Sequence, residues 1–289
     1  MGKHSGDITM KKFLACVFMT FDHVGIYFRG LIPSHLYILF RLIGCMAMPL
    51  FAHEFAIGFL RTRDTGKYFL RIAVFASLAQ AILFLFFPLS GAVWFTLPLN
   101  ALYVLLLGFG VLYGIEVLIS KPPQKIASMR LINANAATKS DRFDLRIGEE
   151  DGSTRPLGLR IPKWPFVTMQ IISLSLIVLC ITLPVFIPME YGLFGVLTIL
   201  MFYSIERWVT GSKAVAAFFC FMILNFAFMM ISYRSTGELD LRGASIAAVF
   251  LCFLPWSDKR PSRPVQYAFY LYFPLHLLIL MLLRIFCFD

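Results

Sequence analysis

The chain reads as all-α, a polytopic transmembrane helical bundle of about nine spans with a cytoplasmic N-terminus. Three observations predict this. Apolar residues make up 59% of the 289 and charged residues 15%, where soluble domains run nearer 25% charged, and mean hydropathy is +0.79. The apolar runs reach the roughly 20 residues that a helix needs to cross a ~30 Å hydrocarbon core. No segment shows the roughly ten-residue alternation of a spanning strand.

Residues 12–30 follow Lys11 and Lys12 as a signal peptide would. Their apolar core is long, holds Asp22 and His23, and lacks a small-x-small cleavage site, so a retained first helix is expected. Spans over 36–60, 68–89 and 92–119 follow, carrying Arg41, His53 and Glu54, then Gln80, then Asn100. The stretch 121–165 breaks the apolar pattern. It is rich in charge, Asn, Ser and Gly and is bracketed by Lys121-Pro122-Pro123 and Pro162-Lys163-Trp164-Pro165. A flexible cytoplasmic linker is expected there, with at most a small hairpin over 143–147 and 157–161. Spans over 166–188, 191–206, 214–233, 243–256 and 265–287 complete the chain. The second and fourth of these are short enough to be tilted or partly re-entrant. The chain thus divides into 1–120 (four spans), 121–165 (basic loop) and 166–289 (five spans). No internal repeat is visible, which weighs against an inverted-repeat transporter. The six cysteines are scattered without a CxxC pair, and P-loop, GxGxxG and HExxH motifs are missing. Neither a metal centre nor a disulfide framework is expected.

Orientation follows from the cations. With the N-terminus inside, 21 Lys and Arg fall on the cytoplasmic side, nine of them in 121–165, against Arg29, Arg234 and Arg242 outside. The short loops alone keep that bias, and it accounts for most of the net charge of +10 without a nucleic-acid partner.

Ionisable groups at membrane depth cost roughly 3 kcal/mol each on insertion scales, so they are rare and usually functional. At 1.5 Å per residue, Asp22 and His23 lie about 15 Å above the cytoplasmic end of their span, Gln80 and His276 about 17–18 Å, Asn100 about 18–20 Å and Arg41 about 22 Å. Five spans thus bring polar groups into one slab. Asp22 and His23 point about 100° apart, so Asp22 is expected to pair with Arg41 or orient His276. A neutral imidazole in a dry site serves as general base, its tautomer set by the partner of its other nitrogen. Arg41 and Asn100 are donors suited to a developing oxyanion, and Gln80 is grouped with them as substrate-binding. The plainer alternative is a buried Asp–Arg pair with hydrogen-bonded histidines holding helices together. His53 and Glu54, nearer the inner end, either line a cytoplasmic vestibule or pair locally.

These residues resemble the TraX family of membrane acetyltransferases over 18–280. The resemblance rests on Phe21-Asp22-His23, on Arg41 through Met48-Pro49-Leu50-Phe51, and on Lys67-Tyr68-Phe69-Leu70-Arg71 with Gln80. Asn100-Ala101-Leu102-Tyr103, Tyr191-Gly192 and the closing Tyr272-Phe273-Pro274-Leu275-His276-Leu277 continue it. The segment 121–165 is longer than the family pattern. The family's known member acetylates the N-terminus of conjugative pilin, and related multi-span acyltransferases modify sugars. The resemblance therefore implies acetyl-CoA as donor and an amine or hydroxyl acceptor, a protein N-terminus or an envelope glycan, at the bacterial inner membrane. His23 is then the first choice for base or transient acyl carrier and His276 the second, with Asp22 balancing charge. Arg63, Lys67, Arg71, Lys259 and Arg260 would meet the CoA phosphates, although the orientation rule explains the same cations. Two other functions fit the residues: a proton-coupled transporter or export accessory using the intramembrane Asp and His, and a scaffold recruiting a partner through 121–165. Thiol release from acetyl-CoA separates the first reading from both.

Overall fold

The computed structural model describes residues 7–86, 98–120, 165–237, 240–254 and 262–288, and these form helices joined by short turns, with no strand among them. The expected hairpin and linker over 121–165 lie outside the described residues, apart from Pro165. In chain order the helices are α1 (Asp7–Tyr27), α2 (Ser34–Gly44), α3 (Ala47–Leu60), α4 (Thr65–Phe86), α5 (Ala101–Ile119), α6 (Phe166–Phe186), α7 (Gly192–Trp208) and α8 (Lys213–Thr236). A 3-10 turn (Leu241–Ile246) then runs into α9 (Ala247–Cys252), and α10 (Arg263–Phe288) closes the bundle.

Six of these segments are long and apolar enough to cross a bilayer: Ser34–Leu60, Thr65–Leu85, Ala101–Ile119, Phe166–Phe186, Lys213–Ser235 and Pro264–Phe286. The expected span 36–60 is α2 and α3 in line, interrupted only at 45–46. The other three expected spans are more charged or shorter. The first, α1, carries Asp7, Lys11, Lys12 and Asp22; α7 has 17 residues; Leu241–Cys252 is a short apolar piece. All three still run between the same two ends of the bundle. At the basic end, Lys11 donates to Cys252 O (2.9 Å) and pairs with Glu54 (3.3 Å). At the opposite end, Cys45 donates to Leu241 O (3.6 Å) and Arg284 to Tyr27 O (2.5 Å).

Lipid gives helices no hydrophobic reason to associate, so small residues that permit close approach take over. Gly110 and Gly114, one turn apart on α5, face Cys180 and Ile177 on α6, while Gly108 faces Ile199 on α7. On α2, Gly44 lies against Asp22 of α1, where a Cβ would fall 2.6 Å from the Asp22 Cα. The fully buried centre is aromatic, with Phe59, Phe194, Phe202, Tyr203 and Phe221 among its largest side chains.

The expected start of the fourth span is corrected: α5 begins at Ala101, and Asn100 is its N-cap rather than a residue inside the span. Its Oδ1 accepts from Leu102 N at 3.0 Å, which satisfies one of the donors that a helix N-terminus otherwise leaves bare.

Candidate active site

His23, 4% exposed, sits one turn before the end of α1. Its Nδ1 is 2.8 Å from Met19 O. A carbonyl can only accept, so Nδ1 carries the proton. The same reasoning applies to His276 on α10, whose Nδ1 donates to Tyr272 O at 3.0 Å. Both rings are thus locked by the carbonyl one turn back on their own helices. The His276 Nε2, left as an acceptor, faces the His23 Nδ1–H at 3.3 Å, and the rings meet edge-on with centroids 4.9 Å apart. One turn nearer the basic end, Thr20 Oγ1 and Tyr272 OH tie α1 to α10 at 2.5 Å. His23 Nε2 is buried and has no hydrogen-bond partner among the described residues. In the neutral ring that nitrogen is a bare lone pair.

His23 is also one of the residues lining a cavity of about 760 Å³, within the range of small-molecule and cofactor sites. Lys12 and His23 both line it, and eleven residues of helix separate them, so it runs about 16 Å along α1. Arg61, Arg63, Lys67 and Arg71 ring the basic end. Lys67 is 81% exposed at the side chain, and the Arg71 guanidinium lies over the Tyr68 and Tyr270 rings at 5.7 and 5.9 Å. The far end holds His23, Glu190 and Tyr191.

The residues expected to share one slab separate into three groups. His23 lines the cavity, and His276 stands behind it. Asp22 and Arg41 form an ion pair across α1 and α2. Asn100 and Gln80 form a third group: Asn100 Nδ2 donates to Gln80 Oε1 (2.9 Å) and Ala76 O (3.0 Å), and Asn100 N donates to Gln80 Oε1 (3.0 Å). Arg41, Asn100 and Gln80, expected to bind substrate, are not among the residues lining the cavity and are occupied in joining helices. Arg63, Lys67 and Arg71 do line it, while Lys259 and Arg260 lie outside the described residues. Glu54 lines it and pairs with Lys11 and Lys12 (4.0 Å). His53 instead pairs with Glu206 at 3.2 Å.

Glu190 was not anticipated. It sits in the turn between α6 and α7, its Oε1 3.9 Å from His23 Nε2 and its Oε2 accepting from Ala101 N at 3.0 Å. One signal was available: Glu190 is the only charged residue between positions 166 and 205. The next residue, Tyr191, has φ 62, a left-handed conformation that costs a non-glycine residue about 1–3 kcal/mol and tends to persist at functional sites. Backbone bonds Leu99 N to Pro188 O and Glu190 N to Leu99 O, both 2.9 Å, hold this turn to the entry of α5. Among the described residues, no group of three or more His, Cys, Asp or Glu side chains is placed to hold a metal ion.

The sequence profile of one family, described as TraX protein, matches residues 8–140 and 161–284. The chain belongs to the TraX family. No curated protein and no solved structure matches it. In this TraX-family chain the paired histidines come from the first and last helices, α1 and α10.

Proposed function

We propose that this TraX-family chain is a multi-pass acyltransferase of the bacterial inner membrane that moves an acetyl group from cytoplasmic acetyl-CoA to an amine or hydroxyl acceptor, a protein N-terminus or an envelope glycan. The observation that carries the reading is a cavity that joins a cationic mouth to His23, whose Nε2 has no hydrogen-bond partner among the described residues. The excess of Lys and Arg makes the mouth cytoplasmic. There Arg63, Lys67 and Arg71 receive the CoA phosphates, with the Arg71–Tyr270 pair as a planar platform beside them. The extended pantetheine arm suits a narrow cavity of this length and brings the thioester to His23.

The chemistry then needs one base at the thioester. The acceptor nucleophile loses its proton to His23 Nε2 and attacks the carbonyl carbon. As the tetrahedral intermediate collapses, the C–S bond breaks and the leaving thiolate takes that proton from His23. While His23 is an imidazolium, its Nδ1–H is held by Met19 O and the lone pair of His276, so the charge that forms is met by acceptors already in place. Asp22 balances Arg41 and fixes α2 against α1. A base at this position contributes about 10²–10⁴ in rate.

The test is thiol release from acetyl-CoA by detergent-purified protein. His23→Ala should lower the rate by about 10²–10⁴ while the protein stays monodisperse. Wild-type turnover with both His23 and His276 replaced would end this reading.

A further inference from the structure

We propose that Glu190 is a second base of this site, taking the first proton from an acceptor amine that arrives as an ammonium, before His23 takes the other. The proposal rests on the acyl-transfer reading above and adds a catalytic residue to it.

The geometry gives the two carboxylate oxygens of Glu190 different tasks. Oε2 is anchored by the Ala101 N–H at 3.0 Å, at the N-terminus of α5, where the helix dipole favours an anion. Oε1 is turned to His23 Nε2 at 3.9 Å. That distance is too long for a hydrogen bond. It suits two acceptors that bracket one atom bearing two N–H bonds. Both groups line the same cavity at the end remote from the cationic mouth, where the thioester carbon of a bound donor would lie. Asn100 already caps α5, and a neutral Gln would accept from Ala101 equally well. Even partial removal of a carboxylate from water is unfavourable, the Glu190 side chain keeping 24% exposure, and the strained Tyr191 next to it is a further cost. Burial raises the Glu190 carboxyl above the ordinary carboxylate range, opposed by His23 and by the Ala101 bond. Its proton affinity thereby moves closer to that of an amine.

The ammonium gives one proton to Glu190, which becomes a neutral acid, and the freed nitrogen lone pair attacks the thioester carbon. His23 Nε2 removes a second N–H proton and delivers it to the departing thiolate. The products are the amide, free CoA thiol and one proton, which Glu190 returns to water. A hydroxyl acceptor carries no such extra proton and needs His23 alone.

The experiment uses the full chain in proteoliposomes, acetyl-CoA, and a tripeptide with a free N-terminus as the acceptor probe, with glycerol as a hydroxyl control. Glu190→Gln keeps an acceptor for Ala101 and should bind acetyl-CoA as wild type does. Its peptide acetylation should fall by about 10²-fold or more near pH 6.5. It should then recover about tenfold per pH unit toward the α-amine's own pKa of about 7.7–8.0, where the probe deprotonates unaided. The wild-type rate should lack that slope, and glycerol transfer should be little affected. A uniform loss at all pH values with both probes would reduce Glu190 to a structural anchor and overturn the proposal. So would a Glu190→Gln rate close to wild type, or a wild type that releases thiol with glycerol and not with the peptide. Wild-type protein that releases no thiol with peptide, glycerol or water would instead remove the acyl-transfer reading itself.

Discussion

At the scale of single residues, a carbonyl one helical turn away decides the tautomer of each histidine, and a cation across the helix pair decides the environment of Asp22. Two parts of this were legible in advance: depth counting and helix geometry left Asp22 to pair with Arg41 or orient His276, of which the first is found, and put His23 and His276 in one slab. Asn100 was misread because Leu97-Pro98-Leu99 extends the apolar run, although an Asn directly before an apolar stretch is also a capping signal. Glu190 falls between two expected spans, where a charge looks like ordinary solvated loop. The Asp22–Arg41 pair predicts a clean split between stability and binding. Removing one member of a buried pair costs about 3–5 kcal/mol, and a lysine cannot reproduce the guanidinium fork. Arg41→Gln should therefore lower the thermal midpoint markedly, and Arg41→Lys partly, while surviving protein keeps its acetyl-CoA KM. A raised KM at unchanged stability would restore Arg41 to the substrate. His276→Leu removes the acceptor behind His23 and should cost less rate than His23→Ala in the same thiol assay.

At the scale of elements, apolar length foretold the long helices but not how the shorter pieces fold. The expected span 243–256 begins as a 3-10 turn capped by Asp240, which accepts from Arg242 N at 2.9 Å and from Arg242 Nε at 2.6 Å. Partial burial works to raise the Asp240 carboxyl, but the side-chain and backbone bonds from Arg242 outweigh it and hold the group below the usual carboxylate range. A depressed value means that the cap stabilises fully above the unfolded pKa of about 3.9 and fades as pH falls through the folded value. Amide protection factors in Leu241–Ile246 should fall in that acid window, and Asp240→Asn should blunt the acid dependence. The α1–α2 contact yields a second test. A Cβ on Gly44 would collide with Asp22, and overpacking costs about 1–3 kcal/mol, so Gly44→Ala should lower the midpoint and loosen the Asp22–Arg41 pair. A midpoint equal to wild type would contradict that close approach.

At the scale of the whole molecule, the alternation of basic and opposite ends makes topology measurable. Reporter fusions at positions 62 and 140 should read cytoplasm and one after 289 the far side, as the 21-to-three bias requires. A cytoplasmic C-terminus would mean that Leu241–Cys252 does not cross. The bundle's polar interior was foreseeable as a class of site but not as a cavity, because which face of α1 looks inward depends on packing by α2, α3 and α10 together. His23→Cys with His276→Cys should crosslink with short reagents in a cysteine-free background, given rings 4.9 Å apart. The tether of Nδ1 to Met19 O also has a regiochemical consequence. An acetyl group or an electrophilic donor analogue that reaches the closed end of the cavity finds one nitrogen of the imidazole without a hydrogen-bond partner and the other committed to its own helix. Any covalent adduct on His23 should therefore be a single isomer, substituted at Nε2, and fragmentation of the modified peptide would reveal which face of the ring the bundle leaves available.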